Sequence, residues 1–122
     1  MENKKIVLLE DDPLLIKMYK DKFATEGFEL LAADDGETGL ALIKKELPLV
    51  IVMDIMMPKK SGLEVLKSLN ESETTKNIPA IVLTNLSQEN EAKKALQLGA
   101  KEYLTKAALT PGEVVAKVKK YL

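Results

Sequence analysis

Leu49-Val50-Ile51-Val52-Met53 runs straight into Asp54, and a turn signal follows at Pro58. An apolar run of that length, rich in β-branched residues and bounded by a turn, predicts a strand buried on both faces. The carboxylate at its end must lie where the strand leaves the core, because a lone buried carboxylate is strongly disfavoured. A second run, Ile6-Val7-Leu8-Leu9, ends the same way in Glu10-Asp11-Asp12. Two buried strands that both end in carboxylates predict one acidic cluster at one edge of a sheet. In open α/β sheets that carboxyl edge is where ligands bind.

Outward from these two runs, apolar segments alternate with helical patterns five times. Strands are expected near residues 4–9, 28–33, 49–54, 78–84 and 101–105. The helices are marked by their ends. Asp12 then Pro13 reads as N-cap then N1, with Leu15, Met18, Tyr19 and Phe23 on one apolar face and Gly27 as the stop. Asp35 is expected to cap a second helix with Leu40, Ile43 and Leu47 inward. Ser61 and Glu64 form a capping box before Leu63, Leu66 and Leu69. Ser87 is expected to cap a fourth helix ending at Gly99. Thr110, Pro111 and Glu113 open a fifth, with Val114, Val115, Val118 and Leu122 at helical spacing. Alternating β and α with buried strands means an α/β architecture: a (βα)₅ doubly wound, five-stranded parallel sheet with helices on both faces. A barrel would need more units.

At 122 residues one domain, 1–122, is the natural count, and 46% hydrophobic content is enough to build its core. A net charge of −1 gives no sign of a general nucleic-acid or membrane binder. The absence of cysteine removes disulfides, thiolate metal sites and thiol nucleophiles, and the absence of histidine removes a Ser-His-Asp triad and most zinc chemistry. No signal peptide or membrane span is legible at the N-terminus, so a cytoplasmic protein is expected. The pattern stops with the fifth helix, so no output domain is expected, and a monomer is the expected state.

In this fold the strand ends lie side by side. The first strand brings Glu10 and Asp11, the third Asp54, the fourth Thr84 and the fifth Lys106. Three carboxylates against one ammonium leave an excess of two negative charges, which a divalent cation would neutralise. All-oxygen donors favour Mg²⁺ or a similar hard ion. Without the ion, mutual repulsion opposes folding.

Four stretches, in order and at the ends of successive strands, resemble the receiver domain of two-component response regulators. They are Leu9-Glu10-Asp11-Asp12-Pro13, then Asp54-Ile-Met-Met-Pro58 with Ser61-Gly62-Leu63-Glu64-Val65-Leu66, then Ile81-Val82-Leu83-Thr84, then Gly99-Ala100-Lys101-Glu102-Tyr103-Leu104-Thr105-Lys106. Each alone is a weak signal; together they are specific and span essentially the whole chain. The resemblance implies the flavodoxin-like receiver fold and a role for each matching position. Asp54 would be the phosphoacceptor, forming an aspartyl phosphate. Glu10 and Asp11 would hold Mg²⁺, with Asp54 and the backbone carbonyl of Met56 as further ligands. Lys106 would pair with Asp54 and then with a phosphoryl oxygen, and Thr84 would donate to another. Thr84 and Tyr103 would form the switch, and the fourth helix, fifth strand and fifth helix would be the surface it changes. The resemblance further implies a histidine kinase or phosphotransfer protein as phosphodonor, and a protein that catalyses only its own modification.

The chain departs from the family pattern in places. Ala107 follows Lys106 where proline is usual, so the bond is expected to be either trans with a reshaped loop or a strained cis. Asn85 replaces a small residue after Thr84. Met56 and Leu86 are apolar neighbours that do not orient a hydrolytic water, which points to a phosphoryl group that is not rapidly lost.

Other functions fit less well. A haloacid dehalogenase-type phosphatase needs a second aspartate two residues after the nucleophile, where this chain has Met56. A flavodoxin-like cofactor carrier needs a phosphate loop after the first strand, where this chain has acids. A phosphorylation-silent interaction module is the remaining alternative, against which Glu10, Asp11, Asp54, Thr84 and Lys106 stand together.

Overall fold

The computed structural model describes residues 3–85 and 89–122. Its order is β1 (Lys5–Leu9), α1 (Pro13–Thr25), β2 (Glu29–Ala33), α2 (Gly36–Glu46), β3 (Val50–Met53), α3 (Gly62–Asn70), β4 (Ala80–Thr84), α4 (Glu89–Gln97), β5 (Glu102–Thr105) and α5 (Pro111–Lys119). A 3₁₀ turn, Lys106–Ala108, joins β5 to α5. The five strands form one parallel sheet in the order β2-β1-β3-β4-β5. The expected (βα)₅ doubly wound sheet is therefore present, with its order reversing between β1 and β3.

Period-two alternation sorts each strand between two cores. Ile6, Leu8, Val50, Val52, Ile81 and Leu83 face α1 and α5, where they meet Tyr19, Phe23, Val114 and Val118. Val7, Leu9, Ile51, Met53 and Val82 face α2, α3 and α4, where they meet Ile43, Val65, Leu66, Leu69 and Ala95. Every residue of β3 and β4 is buried, which is why those strands read as unbroken apolar runs.

The caps follow the sequence. Asp12 accepts from Leu14 N–H, and Asp35 from Thr38 N–H. Ser61–Glu64 and Thr110–Glu113 are complete capping boxes. Gly27 and Gly99, just beyond α1 and α4, have φ of 85° and 105°. The expected Ser87 cap lies outside the described residues. Leu47 corrects the expected inward face of α2: it is the C-cap, at φ 45°, and 41% exposed. Leaving helical geometry there turns its side chain off the stripe that Ile43 occupies.

Candidate functional site

The registers bring the strand ends together. Leu9 pairs with Met53, and Asp54 N–H donates to the Leu9 carbonyl at 3.0 Å, so Glu10 and Asp54 leave the sheet as neighbours. Thr84 is the last residue of β4, paired with Thr105, and Lys106 follows directly.

Asp54 is 7% exposed and both oxygens of its carboxylate are engaged. Oδ1 accepts from Thr84 Oγ1 at 2.7 Å and from Met56 N–H at 3.0 Å; Oδ2 accepts from Lys106 Nζ at 2.8 Å. Lys106 Nζ also pairs with Glu10 Oε1. Glu10 is 2% exposed, and its Oε2 accepts from the N–H groups of Asp11 and Asp12 at 3.1 and 3.0 Å. Among the described residues no buried side-chain polar atom lacks a partner.

The lysine's charge follows from this setting. Burial alone would push the Lys106 pKa down, but the hydrogen bonds and charges of Asp54 and Glu10 outweigh it and hold the ammonium above its ordinary value. Lys106 therefore stays protonated between two carboxylates.

The Lys106–Ala107 bond is trans, as is every described peptide bond, and the chain continues into the 3₁₀ turn. Of the two geometries expected there, the trans one holds. Tyr103 is half-buried against the core on the α2–α4 side. Burial first, then the charges of Glu91 and Asp54, raises its phenol pKa.

The structure thus gathers Glu10, Asp54, Thr84 and Lys106 at bonding distance. Asp11 sits beside them but exposed, Met56 presents an exposed side chain and a backbone N–H bonded to Asp54, and Asn85 is exposed. Leu86 lies outside the described residues. Among the described residues no three acidic side chains gather closely enough to hold a metal ion, and Lys106 bridges Glu10 and Asp54. The carboxylates of Glu10, Asp11 and Asp54 nonetheless fit Mg²⁺ in kind, as oxygen donors with an excess of two negative charges over Lys106.

Two features of the site were not foreseen. Glu10 turns one oxygen back onto its own turn, a bond that depends on backbone path. Gly62 lies against the carboxyl end of β3, where an added Cβ would come within 2.7 Å of the Asp54 carbonyl oxygen. A glycine opening a helix, where it is a poor helix former, was the available signal.

The family model for the response regulator receiver domain matches residues 6–119. The chain is 39% identical over 118 residues to transcriptional regulatory protein CpxR of Klebsiella pneumoniae, covering 97% of this chain and 49% of that protein. It is 35% identical over 120 residues to the alkaline phosphatase synthesis transcriptional regulatory protein PhoP of Bacillus subtilis, covering 98% of this chain and 49% of that one. It therefore spans about half the length of the curated relatives it matches. The BeF3-activated N-terminal receiver domain of Klebsiella pneumoniae RstA superposes with a TM-score of 0.86 at 25% identity, covering 96% of this chain and 97% of that one.

Proposed function

The chain belongs to the response regulator receiver domain family, and from that premise we propose that Asp54 is its phosphoacceptor. Receiver domains are phosphorylation-controlled signalling switches that work with histidine kinases or phosphotransfer proteins, and such a protein is the proposed donor here. The observation that carries the reading is the Asp54 carboxylate, held at once by Thr84 and Lys106 at the carboxyl edge.

An Asp54 carboxylate oxygen attacks phosphorus. The new O–P bond forms as the bond to the donor nitrogen breaks, and the leaving imidazole keeps that electron pair. Charge then builds on the phosphoryl oxygens. Lys106 and Thr84, already on the two oxygens of Asp54, are placed to transfer their hydrogen bonds to it. The proposed Mg²⁺ ligands are Glu10, Asp11, Asp54 and the Met56 carbonyl. When bound, the ion supplies positive charge for the phosphoryl oxygens.

The chain catalyses its own modification rather than turning over a substrate. The phosphoryl group brings about −1.5 to −2 charge and three acceptors. Thr84 moves toward it, and Tyr103 occupies the space it leaves. The surface of α4, β5 and α5 changes, and a partner protein that prefers one state shifts the population. Met56, apolar and exposed beside Asp54, does not orient a water, so the phosphoryl group persists. No described helix is long and apolar enough to cross a membrane; we take the cytoplasm, where receiver domains meet their kinases, as the place of action. We assign it no direct contact with nucleic acid, and we take it to act as a monomer.

Incubation with Mg²⁺ and a small acyl phosphate, read by intact mass, tests this. One phosphoryl group should be gained with the metal, none without it, and none in Asp54→Asn. No gain with the fold intact would point instead to a phosphorylation-silent interaction module.

A further inference from the structure

Residues 54–61 form the loop that carries Met56, and the bonds within it are short-range. Met57 N–H donates to the Ile55 carbonyl, Lys60 N–H to the Pro58 carbonyl, and Gly62 N–H to the Ile55 carbonyl. Ile55 and Met57 bury their side chains in the core on the α2–α4 side, but none of these backbone bonds ties residues 58–60 to the rest of the molecule.

Gly36 does. As the first residue of α2 it donates its N–H to the Pro58 carbonyl at 3.3 Å. A Cβ added to it would lie 1.8 Å from the Lys60 carbonyl oxygen and 2.6 Å from its carbon. That obstacle is backbone, so no side-chain rotation relieves it. Gly36 does not occupy the left-handed region, so what excludes a side chain is contact rather than conformation.

Two neighbours reinforce the seat. Asp35, nearly buried, is locked by Thr38 N–H at 2.7 Å and Thr38 Oγ1 at 2.9 Å, and its Oδ2 lies 3.9 Å from Lys59 Nζ. Lys59 itself is held at φ 67°, a conformation that a residue with a side chain keeps only when its surroundings impose it.

We propose that Gly36 is a positioning residue for the Asp54 site, clamping α2 onto residues 58–60 and thereby fixing the placement of Met56. Met56 is the point where this matters, because its N–H donates to Asp54 Oδ1. The inference rests on the reading of the Met56 carbonyl as a cation ligand and adds what holds that ligand in place.

Gly36→Ala separates the clamp from a helical role. Alanine is the better helix former, so a residue serving only α2 would be improved by the change. The clamp predicts the opposite. In two-dimensional NMR without metal, the amides of Met56, Met57, Lys59 and Lys60 should shift, while those of α1 and β2 stay in place. Titration with Mg²⁺ alone should then show affinity lowered about tenfold, the low end for residues that orient a metal ligand. Unmoved loop amides overturn the proposal, as does unchanged affinity in a chain whose wild type binds Mg²⁺. If the wild type binds none, the metal reading fails by itself, and the loop amides still decide the clamp. Should Gly36→Ala not fold, native-state hydrogen exchange on the unaltered chain reads the same contact. The amides of Gly36, Lys60 and Gly62 should open in one step with a common denaturant dependence; independent opening overturns it.

Discussion

The inner and outer sides of Asp54 are built differently. Inward, Glu10 and Thr84 are buried and Lys106 is partly so, and Thr84 and Lys106 bond Asp54 while Glu10 pairs with Lys106 and with backbone N–H groups. Outward, Asp11, Met56 and Asn85 stand exposed. Buried polar groups must be satisfied by specific partners, so the inner side admits few substitutions. The outer side carries no such obligation. On this account the inner half holds the carboxylate in place, and the outer half, with Asp11 and Met56 among the proposed Mg²⁺ ligands, governs the metal and the phosphodonor that reach it.

The sharpest way to break that contrast is to remove the nucleophile. Asp54→Asn should abolish phosphoryl incorporation altogether while leaving the fold intact, as intact mass and far-UV circular dichroism would report. Incorporation in that variant would place the chemistry elsewhere.

Lys106→Ala should come next. It leaves Glu10 and Asp54 buried and facing each other without their shared cation. Stability should fall by about 3–5 kcal/mol in urea unfolding, and the rate of phosphoryl incorporation by about 10²–10³-fold. Saturating Mg²⁺ should restore part of the stability. A loss under about 1 kcal/mol would mean the inner half is not the coupled unit described.

Thr84→Val removes one donor to the Asp54 carboxylate. It should lower stability by about 1.5–3 kcal/mol, with Thr84→Ser recovering most of it.

The pH dependence follows from the raised pKa of Lys106. A basic group whose folded pKa lies above its unfolded one stabilises the fold fully below the unfolded value, about 10.4. That stabilisation is lost as pH rises through the higher folded value. Denaturant midpoints should therefore decline in this alkaline window. Tyr103, raised by burial and by Glu91 and Asp54, adds slope of the same sign. The contribution of Lys106 is thus the difference between wild type and Lys106→Met.

The smallest effect is expected on the outside. Leu14, 78% exposed at the start of α1, should tolerate Leu14→Ala within about 0.5 kcal/mol. Phosphorylation by a small donor should be unchanged. A large loss of stability would show that exposed side chains away from the site also bear on the fold.

The same contrast explains what the sequence discloses. β3 and β4 are buried on both faces, so their apolar runs place them to within two residues. Caps are local chemistry, and Asp12, Asp35, Ser61 and Thr110 read directly as such. Adjacent parallel strands then force Glu10, Asp54, Thr84 and Lys106 to one edge. Less legible was whatever depends on path and orientation. Leu47 fits the helical period but falls where the helix ends. Lys106 bridging two carboxylates depends on side-chain reach that spacing does not encode. The contact of Gly36 with Lys60 joins segments distant in the chain, and a single glycine after a cap is too common a signal to announce it.

The proposed phosphoacceptor is the buried carboxylate just past the end of β3. Phosphorylating the protein with Mg²⁺ and a small acyl phosphate, reducing the acyl phosphate with borohydride and mapping the product by peptide mass spectrometry tests it most directly. Reduction is expected at Asp54 and nowhere else. Reduction at Asp11 or Asp12, or phosphate on a hydroxyl that borohydride leaves intact, would contradict it.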